Sequence, residues 1–172
     1  MARNIQTCCV AAVLLVVLSP VFGASAGELK VPLSTCTALD CAGTNLLGRI
    51  NKSVRCCGFF NYPIPWTIQL YAAAGECLRL HVTSQQSDTQ LVAVAPGTMR
   101  TWRNDSSGIA ACTTCPLLKI VPATTETGWF LVQVNQPQGT SADAEFTLKY
   151  ARYSTTAANC SPVSTPLPAP PK

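Results

Sequence analysis

Charge is scarce in this chain. Only 12% of its 172 residues are Asp, Glu, Lys or Arg, about half the ~25% usual for soluble proteins. Twelve Lys and Arg against eight Asp and Glu leave a net +4. The cations are scattered, from Arg49 to Arg152, with no basic run interleaved with aromatics, so nucleic-acid binding has no support. Histidine is nearly absent: His81 stands alone. One imidazole excludes a His-rich metal site. No segment sustains a 3.6-residue apolar period, which makes helix a minor component. After the first 26 residues no apolar stretch approaches the ~20 residues of a bilayer span.

What is present begins with a leader. Arg3 supplies a charged start and Val10 to Leu18 is almost all branched aliphatic. Pro20 and Gly23 break the run, and Ala24-Ser25-Ala26 offers small residues for cleavage. Residues 1–26 therefore read as a secretory signal peptide, with an uncleaved anchor as the alternative. Cys8 and Cys9 would leave with it. Eight cysteines follow: Cys36, Cys41, Cys56, Cys57, Cys77, Cys112, Cys115 and Cys160. An even number behind an export signal predicts a disulfide framework in a secreted or periplasmic protein. Sequence does not choose the connectivity, although adjacent Cys56 and Cys57 point apart in extended chain and should have different partners.

Residues 27–61 hold half of those cysteines and little periodicity. They are expected to form a disulfide-tied N-terminal segment draped on the main domain, with Leu46 to Ile50 as a short strand or a helical turn. Residues 62–160 alternate. Trp66, Ile68 and Leu70 are out of phase with Thr67, Gln69 and Tyr71. Leu78, Leu80 and Val82 are out of phase with Arg79 and His81. Phe130, Val132 and Val134 alternate with Trp129, Leu131 and Gln133, and Phe146, Leu148 and Tyr150 with Thr147 and Lys149. Leu91 to Ala95 is apolar on both faces, Met99 to Trp102 suggests a strand, and Leu117 to Val121 is stopped by Pro122. About seven short strands at roughly 8–12-residue spacing predict an all-β antiparallel sandwich. Residues 161–172 contain five prolines and read as a disordered or polyproline-like tail acting as a spacer.

The strand Cys77 to Val82, the run Asp88 to Gly97, the turn Arg103 to Ser106, the strand Gly128 to Val134 and the strand Phe146 to Tyr150 resemble, in that order, the pre-peptidase C-terminal domain family. The likeness spans about residues 66–153. It implies a jelly-roll-like secreted sandwich serving as a non-catalytic accessory or binding module. The chain departs from the family in two respects. No peptidase domain precedes the module, and only Glu28 and Asp40 lie where some members carry a calcium-binding acidic cluster. No calcium site is carried over.

Candidate chemistry is thin. Cys112-Thr-Thr-Cys115 has the spacing of a thiol–disulfide oxidoreductase, but Pro116 and a β-like run follow it where such a site needs a helix N-terminus. His81 is the one imidazole base available. It sits at an outward strand position, and no G-x-S-x-G elbow accompanies it. Glu76, Asp88, Asp105, Glu126, Asp143 and Glu145 fall in turns, where carboxylates usually cap backbone. Asn51, Asn104 and Asn159 head N-x-S triplets. The best ligand-facing patch is Arg100, Trp102 and Arg103, with Trp129 out of phase with its strand's apolar face. The stronger alternative is that Trp102 and Trp129 pack beneath the N-terminal segment. The sequence thus reads as a small exported disulfide-stabilised module that binds a glycan, a protein or an envelope surface. No cofactor, metal or catalytic residue is implied. The alternatives are an exported enzyme, either an oxidoreductase through Cys112 and Cys115 or a hydrolase, and a structural envelope component.

Overall fold

The structure is a computed structural model and describes residues 27–36, 43–54, 61–107, 109, 112–136 and 143–169. The leader, Cys41, Cys56 and Cys57 lie outside them. The described chain is all-β. Ten strands form two stacked sheets: β1 (Glu28–Leu29), β2 (Thr44–Val54), β3 (Asn61–Ile64), β4 (Trp66–Ala72), β5 (Glu76–Gln85), β6 (Gln90–Val94), β7 (Thr101–Asn104), β8 (Leu117–Ile120), β9 (Gly128–Asn135) and β10 (Ala144–Ser154). One sheet runs β1-β4-β9-β6-β7 and the other β3-β2-β10-β5-β8. Pairing is antiparallel except where β1 lies parallel to β4. This is the expected jelly-roll-like antiparallel sandwich.

The alternation read from sequence becomes the core. Ile68 and Leu70 of β4, Phe130, Val132 and Val134 of β9, and Leu91 and Ala93 of β6 are buried in the first sheet. They meet Leu78, Leu80 and Val82 of β5, Leu148 and Tyr150 of β10, and Leu118 and Ile120 of β8 in the second. Burying such side chains stabilises by roughly 1.5–3 kcal/mol each before the entropy of ordering them is counted. Trp66 is half-buried and meets Phe146 edge-on, ring centroids 5.3 Å apart.

Four expectations change. Residues 44–54 do not drape. They form β2, an interior strand paired with β10 on one side and β3 on the other. Gly48 hides this strand in the sequence. It stands opposite Phe146, and a Cβ there would sit 2.1 Å from the Phe146 ring. The apolar residue missing from β2 is supplied by its neighbour. The strand expected at Met99 starts later, at Thr101, because Met99 takes a left-handed backbone (φ 58°) that ends the turn begun at Pro96. His81 is on the expected phase of β5 but is only 5% exposed, since both faces of β5 are covered.

The fourth change is the proline-rich segment. Residues 161–169 are not a free spacer but lie along the seam where the two sheets end. The Ser164 and Leu167 amides donate to Lys119 O of β8 and Thr101 O of β7, at 2.8 and 2.7 Å. Lys119 N donates to Ser164 Oγ, and the indole N–H of Trp102 to Ser164 O at 3.2 Å. Prolines do not prevent this, because the segment pairs only through residues that keep an N–H. It covers two sheet edges that would otherwise offer unpaired backbone.

Disulfides brace the ends. Cys77 at the start of β5 is bonded to Cys160, just past β10, across 83 residues. Cys112 is bonded to Cys115. Cys36 is also disulfide-bonded, its partner lying outside the described residues. The segment before β2 is held a second way. Leu33 bridges Arg152, Ser34 N donates to Arg152 O at 2.7 Å, and the Arg152 guanidinium donates to Val31 O at 2.6 Å. Glu76 pairs with that guanidinium, Oε2 accepting from Nε at 2.9 Å and Oε1 from Nη2. Burial pushes the Glu76 carboxyl up, but Arg152, the Ala73 N–H and Lys30 together hold it below its ordinary value. Burial raises Tyr150 to about 12, so its hydroxyl stays a donor, to Tyr71 O.

Candidate functional site

One end of the sandwich carries the turn from Ala95 to Arg100, the 3₁₀ turn Thr124–Glu126 and the last described residues of the chain. Between them is a groove of about 810 Å³, lined among others by Met99, Arg100, Ala123, Thr125, Pro166 and Leu167. That size lies within the ~300–1,000 Å³ of small-molecule sites. The lining is mainly apolar. Met99 and Leu167 are exposed, at 75% and 46%.

A buried carboxylate sets the shape. Glu126 is 1% exposed. Its Oε1 accepts from Thr98 Oγ1 at 2.7 Å, and its Oε2 accepts from Ala123 N at 2.8 Å and faces Arg100 Nη2 at 3.3 Å. Arg100 Nη2 also reaches Val121 O at 3.4 Å. One acid thus ties the β6–β7 turn to the loop before β9, with its charge matched. This satisfies the usual requirement for a buried ion. The Thr101 hydroxyl donates to Met99 O, helping to hold the left-handed residue. Non-glycine residues in that backbone region are uncommon and concentrate at functional positions.

The residues predicted from sequence scatter across this region. Arg100 lines the groove, its guanidinium carbon 4.5 Å from the Trp102 ring centre. Trp102 is not ligand-facing: it is 1% exposed, packs on Phe130 and is bonded to Ser164. Among the described residues it is the C-terminal segment that holds it. Arg103 is exposed on the outer face of the first sheet, paired in register with Val92. Trp129 is half-buried on that same outer face, edge-on to Tyr71 at 5.5 Å, and Lys30 stands 4.0 Å above the Tyr71 ring. The four residues therefore do not form one patch. Met99, Glu126 and Leu167 were missed. Pro96-Gly97 did mark the turn, but nothing in the sequence placed Thr124–Glu126 and residue 167 beside it.

The other candidates resolve into structure. Cys115 is buried and bonded to Cys112, which itself bridges Ile109, with β8 following. His81 is enclosed in β5. Asn159 is fully buried, its amide donating to Cys36 O, so it offers no glycan acceptor. Among the described residues no group of His, Cys, Asp and Glu is placed to hold a metal ion, and no helix is long and apolar enough to cross a membrane. A second depression of about 480 Å³ lies at the opposite end beside Leu47, Arg49, Gln85, Gln86 and Glu145. Its ion pair, Arg49 with Asp143 at 3.1 Å, is solvent-exposed, and such pairs contribute little.

These features define a disulfide-braced antiparallel β-sandwich with an apolar end groove. No family model matches the chain, and no curated protein matches it. Among solved structures it is similar to PliG of Aeromonas hydrophila, a periplasmic lysozyme inhibitor of g-type lysozyme. The two are 18% identical, the match covers 73% of this chain and 96% of that one, and the TM-score is 0.41.

Proposed function

We propose that this protein is a small exported module, secreted or periplasmic, that acts by binding and not by catalysis. Its ligand site is the end groove. The observation that carries the reading is the pairing of an apolar, open groove with a rigid base: exposed Met99 and Leu167 stand over a carboxylate fixed from three directions. Exposed apolar residues flanking a groove commonly mark a binding site. Five described cysteines, all disulfide-bonded, support work outside the reducing cytosol. The pre-peptidase C-terminal resemblance supports the same role, as an accessory module.

A glycan is the weaker of the partners the sequence suggested. Sugar sites on sheets commonly use free aromatic faces. Trp102 is enclosed, and Trp129 and Tyr71 meet at 75° to each other. An apolar-bodied ligand fits better. Nile red, a neutral apolar dye, tests this. It should bind saturably, and Met99→Asp or Leu167→Asp should weaken it at least about tenfold, since each puts an unpaired charge into an apolar wall. Leu47→Asp, at the other end and 83% exposed, should leave it unchanged. Equal binding by all three variants would remove the groove from the reading.

A further inference from the structure

We propose that the groove takes a free amphipathic carboxylate, its apolar body against Met99, Leu167 and Pro166 and its acid head on Arg100. The inference rests on the end groove being the binding site.

An incoming molecule meets few accessible polar groups in the groove. Glu126 is hidden at 1% exposed and its two oxygens already take three donors. Its burial leaves it little access to a ligand donor. The Thr98 and Thr101 hydroxyl protons are given to Glu126 and to Met99 O, and the exposed Thr125 is the further hydroxyl residue at the groove. The Arg100 side chain is 38% exposed. It carries five N–H donors and no acceptor; Nη2 is engaged by Glu126 and Val121 O and Nε is buried, which leaves the two N–H groups of Nη1 for a ligand. The pair is neutral, but its two halves are not equally visible: both residues border the groove, yet the guanidinium side chain is exposed and the carboxylate side chain is not. A ligand therefore meets a donor-rich cation among apolar walls. A carboxylate answers that cation in charge and can accept from its Nη1 donors. The guanidinium carbon, 4.5 Å from the Trp102 ring centre, is held in place by that ring.

The whole mature protein and two probes test this: decanoate below its micellar concentration, and its methyl ester. Calorimetry gives affinity, and emission from Trp102, beside Arg100, reports occupancy. Decanoate is expected to bind one to one, at least about tenfold tighter than the ester, the usual worth of a hydrogen bond to a charged group. Shortening the chain should weaken both probes by up to about fourfold per methylene. Arg100→Met alone would leave Glu126 buried and unpaired, so it is made together with Glu126→Gln. That double variant should bind the two probes alike, while Arg103→Met should keep the preference. If the double variant does not fold, the comparison of decanoate with its ester on the unaltered protein still decides. Equal affinity for the two probes overturns the inference, yet leaves the groove standing if Nile red responds to Met99→Asp. Binding of an apolar tripeptide with a free carboxyl end, without binding of decanoate, also overturns it and assigns the groove to polypeptide.

Discussion

The two ends of the described chain are fastened to the same sandwich by different physics. Residues 27–36 add charge to their backbone pairing and the Cys36 disulfide: Arg152, 6% exposed, is clamped by Glu76 and donates to Val31 O. Residues 161–169 are held mainly by neutral groups, the backbone of β7 and β8 and the indole of Trp102, with one bond from the Lys119 ammonium to Ser161 O. Both ends sit beyond the strands that alternate most plainly, and both contribute walls, one of them to the candidate groove. The difference is instructive. A charged fastening is strong only while both partners stay ionised and paired. A neutral one is insensitive to protonation but costs more sequence, since each bond needs a residue placed in register.

The largest effect should come from cutting the charged fastening. Arg152→Ala leaves Glu76 half-buried and unpaired and frees Val31 O, and should cost about 3–5 kcal/mol in chemical denaturation. A loss under about 1 kcal/mol would mean that β1 pairing alone holds the segment. The neutral fastening should give a smaller response. Trp102→Phe keeps the ring in the core but leaves Ser164 O without its donor, a loss of about 1–3 kcal/mol. Amide exchange at Leu167 should then quicken while that at Ser34 does not. Acid should separate the two ends with the least perturbation. The folded Glu76 carboxyl lies below its ordinary 4.5. Its contribution is therefore complete above that value and is lost as pH falls through the lower folded value. Protection of the Ser34 amide, corrected for intrinsic exchange, should drop on that descent. Protection at Ser164 and Leu167 should hold. Parallel loss at both ends would break the contrast.

Much of the fold was legible because strand alternation is a local property. Ile68 and Leu70, or Phe130, Val132 and Val134, announce a buried face without reference to anything distant. β2 was legible only as an ambiguous piece from Leu46 to Ile50, because its inward position at Gly48 is filled by Phe146 from another strand. The candidate site was legible only in Arg100. Trp102 read as ligand-facing or, more strongly, as packed beneath the N-terminal segment, but it is a segment 62 residues later that bonds its indole. Glu126 looked like a solvated turn acid because its partners Thr98 and Arg100 lie more than twenty residues away.

By itself the sequence determined a sandwich class and a reading of export. It did so because apolar period and cysteine parity follow from the order of residues alone. Only the tertiary structure decided which strands are neighbours, which cysteines are joined, and that the proline-rich segment closes a seam. It also decided that Met99, Glu126 and Leu167 share one groove. Those outcomes depend on distances between residues remote in the chain, and such distances exist only once two sheets have packed.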